Sequence, residues 1–200
     1  MRVGIYGGSF SPIHNGHVMA AKAFMEQMWL DLLYLIPAGI PPHKQVDGGA
    51  DPWQRLRMCE LAMEGVDGVI ISDMEIRRGG KSYTVDTLRA LSNPDDRLFL
   101  LMGTDMLLSL DTWREPETIF RLCYPVYMRR ETKDPILENR IVSKIAEYQQ
   151  KYGKVVRRIV GDPVPVSSTM IRDRLARGAP ITGLVPPAVE RYIDDHKLYV

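Results

Sequence analysis

Gly7-Gly8-Ser9-Phe10-Ser11-Pro12-Ile13-His14-Asn15-Gly16-His17 crowds three glycines, two hydroxyls, a proline and two histidines into one short stretch. Glycines let a ligand approach backbone N–H groups closely, and N–H groups at a helix start attract anions. His14 and His17 stand three apart across a helix start near Asn15, so both imidazoles can project from one face toward the same anion. Binding of a polyphosphate is the chemistry these residue types suit. Read as glycines alone, the segment is an ordinary strand-to-helix turn; the two imidazoles placed directly on it favour the anion. A metal site fits less well, because an i, i+3 histidine pair without a third ligand nearby is not the HExxH arrangement. The pattern is also neither GxGxxG nor GxxxxGK[ST], which disfavours a dinucleotide-fold dehydrogenase and a P-loop kinase.

A second anion signal lies far along the chain at Ser167-Ser168-Thr169-Met170-Ile171-Arg172. Hydroxylic residues here read as a capped helix start, with exposed N–H donors and the positive end of the helix dipole, and Arg172 follows in the first turn. Taken alone this is a serine cap with a surface arginine. Paired with the histidine turn across one sheet edge, it completes an anion cradle.

Both signals need elements to carry them. β-rich runs at Val3–Tyr6, Leu32–Ile36, Val69–Ser72, Leu98–Met102, Pro125–Met128 and Val155–Val160 alternate with longer helical segments. Leu98–Met102 is apolar at every position, as a parallel strand covered on both faces should be. Asp51-Pro52 caps a helix through Glu64, Asp134-Pro135 caps one through about Lys151 that Gly153 stops, and Ser82 can cap Tyr83–Leu91. This alternation predicts an α/β domain: a doubly wound, Rossmann-like, mainly parallel sheet of about six strands with helices on both faces. Ligands then bind outside the carboxyl ends of the strands. The main loops are Pro37–Ala50, Arg77–Lys81 and Gly161–Ser167.

The 200 residues suit one domain over 1–200, and with 45% of them apolar a sizeable core can form. A formal net charge of +1, with acids and bases interspersed, argues against nucleic acid or anionic membrane as a partner. Cys59 and Cys123, isolated in apolar segments, make neither a disulfide framework nor a metal cluster. No apolar run reaches the about 18 residues of a membrane span, and none near the N-terminus has signal-peptide length. A soluble, cytoplasmic protein is expected; its oligomeric state stays open, a homo-oligomer included.

GGSFSPIHNGH together with SSTMIR resembles the nucleotidyltransferase superfamily of α/β adenylyl- and cytidylyltransferases, known for a (T/S)xxHxGH-type and an (I/S)SxxxR-type signature. Within it, Pro41-Pro42-His43-Lys44, Lys81-Ser82-Tyr83-Thr84-Val85-Asp86-Thr87-Leu88 and Gly103-Thr104-Asp105-Met106-Leu107 followed by Trp113 resemble the bacterial nicotinate mononucleotide adenylyltransferases. The likeness runs from residue 2 to about residue 199, weakly over 132–154. Ser11 departs from it, the family having aspartate or asparagine there more often, which puts a local turn hydrogen bond in question.

The resemblance implies attack of a mononucleotide 5′-phosphate on the α-phosphorus of ATP, making a dinucleotide and pyrophosphate without a covalent enzyme intermediate. It implies that Gly7, Gly8, Ser9, Phe10, His14, His17, Gly103, Asp105, Ser168, Thr169 and Arg172 bind ATP, with His14, His17 and Arg172 catalytic. The segment of about 167–200 would complete the ATP site. Mg²⁺ is implied, bound mainly through ATP phosphates, so no residue is assigned to a metal. For the mononucleotide it implies Lys44, Ser82, Tyr83, Thr84 and Trp113. Backbone donors at Ser82–Thr84 suit a carboxylate, whereas a carboxamide would set NH₂ donors against them, so nicotinate is preferred over nicotinamide. Trp113 can stack on the cationic pyridine, though it and Tyr83 read equally as packing residues. Asp105 suits ribose hydroxyls or a helix cap, Arg129 and Arg130 close a strand at the same edge, and Arg77–Lys81 looks like a mobile lid. The alternatives are a sibling enzyme using nicotinamide mononucleotide or phosphopantetheine, a noncatalytic nucleotide-binding module, and a flavodoxin-like redox protein.

Overall fold

The computed structural model describes residues 1–42, 49–129, 134–161 and 165–200. Six strands, β1 (Arg2–Gly8), β2 (Leu32–Pro37), β3 (Val69–Ile71), β4 (Arg97–Gly103), β5 (Cys123–Met128) and β6 (Arg157–Ile159), form one sheet in the order β3-β2-β1-β4-β5-β6. Every neighbouring pair is parallel. The winding reverses between β1 and β4, so a crevice opens there at the carboxyl ends of the strands.

β4 explains why the sequence could be read this way. Leu98, Leu100 and Met102 enter one apolar cluster, Phe99 and Leu101 the other, and each is at most 4% exposed. Helices therefore cover both faces. On one side pack α1 (Asn15–Gln27) and α2 (Pro52–Ala62), joined in the same cluster by α8 (Ser168–Leu175) and α9 (Pro187–Asp195). On the other lie α4 (Thr84–Leu91), α5 (Thr104–Ser109), α6 (Pro116–Leu122) and α7 (Pro135–Tyr152), with the short α3 (Met74–Arg78) between β3 and α4. Cys59 and Cys123 are buried in opposite clusters, so they cannot pair. Among the described residues no helix is long and apolar enough to cross a membrane.

Local signals held where capping is local. The Asp51 carboxylate accepts from Gln54 N–H at 2.9 Å as the cap of α2, Asp134 caps α7, and Gly153 ends α7 with φ 65°. Three expectations need correction. Ser82 does not cap α4: Tyr83 occupies that position without a side-chain bond, because the Ser82 hydroxyl accepts from Gly39 N–H at 2.9 Å. Arg77 and Arg78 are helical, ending α3, and each is tied down, Arg77 to Asp73 at 2.6 Å and Arg78 to Thr87 at 3.1 Å. Only Gly79 and Gly80, with φ 68° and 66°, leave the helical path before Lys81, so the run is not the five-residue loop expected. β6 is shorter than the expected Val155–Val160 run, which keeps Val155 and Val160 exposed.

Candidate active site

A cavity of about 650 Å³ occupies the crevice. One wall is the end of β1 and its loop, Gly7, Gly8, Ser9 and Phe10, with His17 behind them. The opposite wall is Ser82, Tyr83 and Thr84 at the start of α4, with Trp113 and Arg114. Gly103 and Asp105 lie between, at the end of β4.

The first wall is tightly built. The Phe10 ring is 1% exposed and packs edge-on against Tyr6 and His17, and a Cβ on Gly8 would lie 3.0 Å from that ring. Phe10 itself has φ 44°, a region that costs a residue with a Cβ about 1 kcal/mol or more. His14 is the N-cap of α1 and His17 its third residue, and they cap reciprocally. His14 Nδ1 accepts from His17 N–H and His17 Nδ1 from His14 N–H, both at 3.3 Å, with the rings stacked 3.6 Å apart. Two imidazoles thus stand in for the usual Ser and Glu of a capping box. Each Nδ1 is thus engaged as an acceptor, which fixes the orientation of both rings. His17 lines the cavity; His14, 2% exposed, supports it from beneath.

The distant signal is brought to this wall. Ser167 caps α8 by accepting from Met170 N–H at 3.1 Å. Ser168 Oγ donates to Pro12 O at 2.9 Å and Arg172 Nη1 to Ser11 O at 2.8 Å, so the start of α8 docks on the loop between β1 and α1. Thr169 is exposed beside them, its hydroxyl 3.4 Å from Arg172 Nη2. Ser168, Thr169 and Arg172 do not line the cavity; Ser168 and Arg172 dock on Pro12 and Ser11, which follow the cavity-lining Phe10 in the chain. Ser11, the departure from the family pattern, is held by a long-range contact, its Oγ lying 3.1 Å from the Tyr199 hydroxyl.

At the opposite wall, two of the three expected backbone donors are engaged. Ser82 N–H donates to Ile40 O at 2.8 Å and Tyr83 N–H to Lys81 O at 3.0 Å, whereas Thr84 N–H has no acceptor among the described residues. The Arg114 guanidinium lies 4.7 Å from the Tyr83 ring centroid. Trp113 follows a 3-10 turn over Leu110–Thr112, half-buried, and it both packs on the apolar cluster and lines the cavity. Asp105 is not the cap of α5, a position Gly103 takes. Asp105 sits exposed in the first turn facing the cavity, and a Cβ on Gly103 would crowd its Oδ1 at 2.9 Å. Arg129 is turned away, with an ion pair to Glu138. His43, Lys44 and Arg130 lie outside the described residues.

Two charged groups carry no motif and escaped the sequence reading. Arg55 of α2, 1% exposed, donates to Ser9 O at 2.6 Å, Ala38 O at 2.7 Å and Gly39 O at 3.1 Å, directly under the first wall. Burial lowers its pKa from the ordinary arginine value. Glu75 lines the cavity from α3, and its Oε1 accepts from Thr87 Oγ1 at 2.5 Å. Burial pushes its carboxyl above the ordinary glutamate value, against the opposing pull of the Thr87 and Ser82 hydroxyls and of Arg78. Only an acidic residue on a short helix marked Glu75 in the sequence, and nothing marked Arg55. Among the described residues no group of three or more His, Cys, Asp or Glu side chains could hold a metal ion.

A cytidylyltransferase-like family model matches residues 5–174. A protein of Desulfatibacillum aliphaticivorans named "Probable nicotinate-nucleotide adenylyltransferase" is 38% identical over 100% of both chains. One of the same name from Citrifermentans bemidjiense is 39% identical over 100% of this chain and 99% of its own. Among solved structures, the Plasmodium falciparum nicotinic acid mononucleotide adenylyltransferase complexed with NaAD superposes with a TM-score of 0.78 at 18% identity, covering 99% of this chain and 97% of that one. With glycine wall, histidine cap and arginine helix assembled at one switch point, and with full-length identity to these relatives, the chain belongs to the nicotinate-nucleotide adenylyltransferases of the cytidylyltransferase-like family.

Proposed function

We propose that the protein transfers the adenylyl group of ATP to nicotinate mononucleotide, forming nicotinate adenine dinucleotide and pyrophosphate in the cytoplasm. The observation that carries this reading is one cavity with two chemically different walls: a glycine and imidazole wall suited to phosphates, and a helix start with an aromatic side chain suited to a pyridinium ring bearing a carboxylate. Neither a nucleic acid nor a membrane takes part.

A phosphate oxygen of the mononucleotide attacks the α-phosphorus of ATP, and the bond to the bridging oxygen breaks with its electron pair leaving on pyrophosphate. No nucleophile from the protein is needed, so its work is positioning and stabilisation of charge. His17, lining the cavity with its ring oriented by the His14 N–H on Nδ1, stabilises charge developing at the α-phosphate. His14 fixes that ring through the stack and the shared cap. Arg172 and the Thr169 N–H hold the β- and γ-phosphates, and Gly7–Phe10 admit the triphosphate against the backbone. Gly103 leaves room for Asp105 to accept from ribose hydroxyls. When bound, Mg²⁺ supplies charge neutralisation at the phosphates. Thr84 N–H, at the positive end of α4, meets the nicotinate carboxylate, with Ser82 and Tyr83 shaping the pocket and Trp113 stacking on the pyridine. Lys44 is assigned to the mononucleotide phosphate. The segment 167–200 completes the ATP site within a single domain.

Pyrophosphate release with ATP and Mg²⁺ tests this, with nicotinate mononucleotide, nicotinamide mononucleotide and phosphopantetheine offered in parallel. Fast release with the first alone is expected. Comparable release with the amide refutes the role of Thr84, and release with none refutes the enzyme in favour of a binding module.

A further inference from the structure

Arg55 is a buried cation with no hydrogen-bonded carboxylate among the described residues: its acceptors there are backbone carbonyls, its Nε has none, and Asp51 acts on it only electrostatically. A buried charge is costly unless an opposite charge pairs with it, so one held by carbonyls alone marks a place where an anion is expected to arrive. Two of its acceptors belong to residues that line the cavity, Ser9 and Ala38. The grip also orients a peptide. In a trans unit the N–H points opposite to the carbonyl, so holding Ser9 O turns Phe10 N–H away from the guanidinium, and that N–H has no acceptor among the described residues. Phe10 has a positive φ, a conformation that persists only where its surroundings enforce it.

We infer that Arg55 is a positioning residue for the nucleotide triphosphate: it locks the wall of β1 to the exit of β2, aims the Phe10 N–H into the phosphate site, and lends that site positive charge from below. This rests on the reading of Gly7–Phe10 as the phosphate wall.

Calorimetric titration of the full chain with ATP and with adenosine, without a second substrate, tests it in Arg55→Met and Arg55→Lys. For Arg55→Met the dissociation constant for ATP should rise on the order of 100-fold, as expected when a donor is misplaced, while that for adenosine stays within about twofold. Lysine keeps the charge but cannot grip three carbonyls in a planar fork, so Arg55→Lys should weaken ATP by about tenfold, again sparing adenosine. A purely structural role predicts equal factors for both ligands, and that result, or no change in either, overturns the inference. If Arg55→Met fails to fold, the ratio of the two losses in Arg55→Lys decides alone. Equal losses beside normal adenylyl transfer in the unaltered protein would refute only this inference, whereas an unaltered protein that does not bind ATP refutes the proposed function with it.

Discussion

Replacing His17 with alanine separates the two jobs this ring performs. In the resting protein it accepts from His14 N–H at 3.3 Å, stacks on His14 at 3.6 Å and meets the Phe10 edge at 5.0 Å. Losing one net hydrogen bond costs about 1 kcal/mol, and losing the ring contacts about another 1 kcal/mol. The sum of roughly 2 kcal/mol corresponds to a Tm lower by about 4–8 °C for a chain of this size, easily measured by calorimetry. The fold itself survives, since Ala20, Ala21 and Phe24 still anchor α1 in the core. Turnover should suffer much more. A donor aimed at developing charge is worth about 10²–10³ in kcat, while ground-state ATP binding, shared with the glycine wall and Arg172, should weaken less than about tenfold. Steady-state kinetics with each substrate varied in turn, alongside direct titration of ATP, reads both quantities. If kcat stays within about threefold while ATP binding weakens by the full factor, His17 holds ground-state phosphate and the assigned role is wrong.

Two further outcomes follow from the other wall. Trp113→Ala should raise KM for the mononucleotide by about tenfold or more and leave KM for ATP within about twofold, since only the pyridine stacks there; the reverse pattern in substrate-varied kinetics means the two substrates are seated the other way round. Glu75→Gln tests the buried carboxyl by pH. A carboxyl whose folded pKa is raised leaves stability unaffected below the ordinary glutamate value, then costs stability as pH climbs from there through the raised value, because the unfolded chain ionises first. The variant should therefore gain Tm relative to the unaltered protein as pH rises above the ordinary glutamate value of about 4.3. A difference independent of pH would show that Glu75 acts through its hydrogen bonds to Thr87 and Ser82 alone.

By itself the sequence determined what depends on neighbours along the chain. The uninterrupted apolar run of β4 implies cover on both faces, Asp51-Pro52 and Asp134-Pro135 start helices through bonds spanning three residues, and Gly7-Gly8 with His14 and His17 mark a turn that can face an anion. Tertiary structure decided what depends on convergence. Whether the hydroxyl of Ser82 caps α4 or accepts from Gly39 N–H turns on where β2 ends relative to α4, which no local propensity encodes. The start of α8 reaches the histidine turn through Ser168 to Pro12 and Arg172 to Ser11, and Tyr199 reaches Ser11 from the far end of the chain. Arg55 is the clearest case. In the sequence it is one arginine among several on an amphipathic segment, and only the folding together of Ser9, Ala38 and Gly39 makes it a buried cation under the phosphate wall. Capping and alternation are properties of a few consecutive residues, whereas the charge environment of a side chain is set by groups that meet only when the sheet closes its crevice.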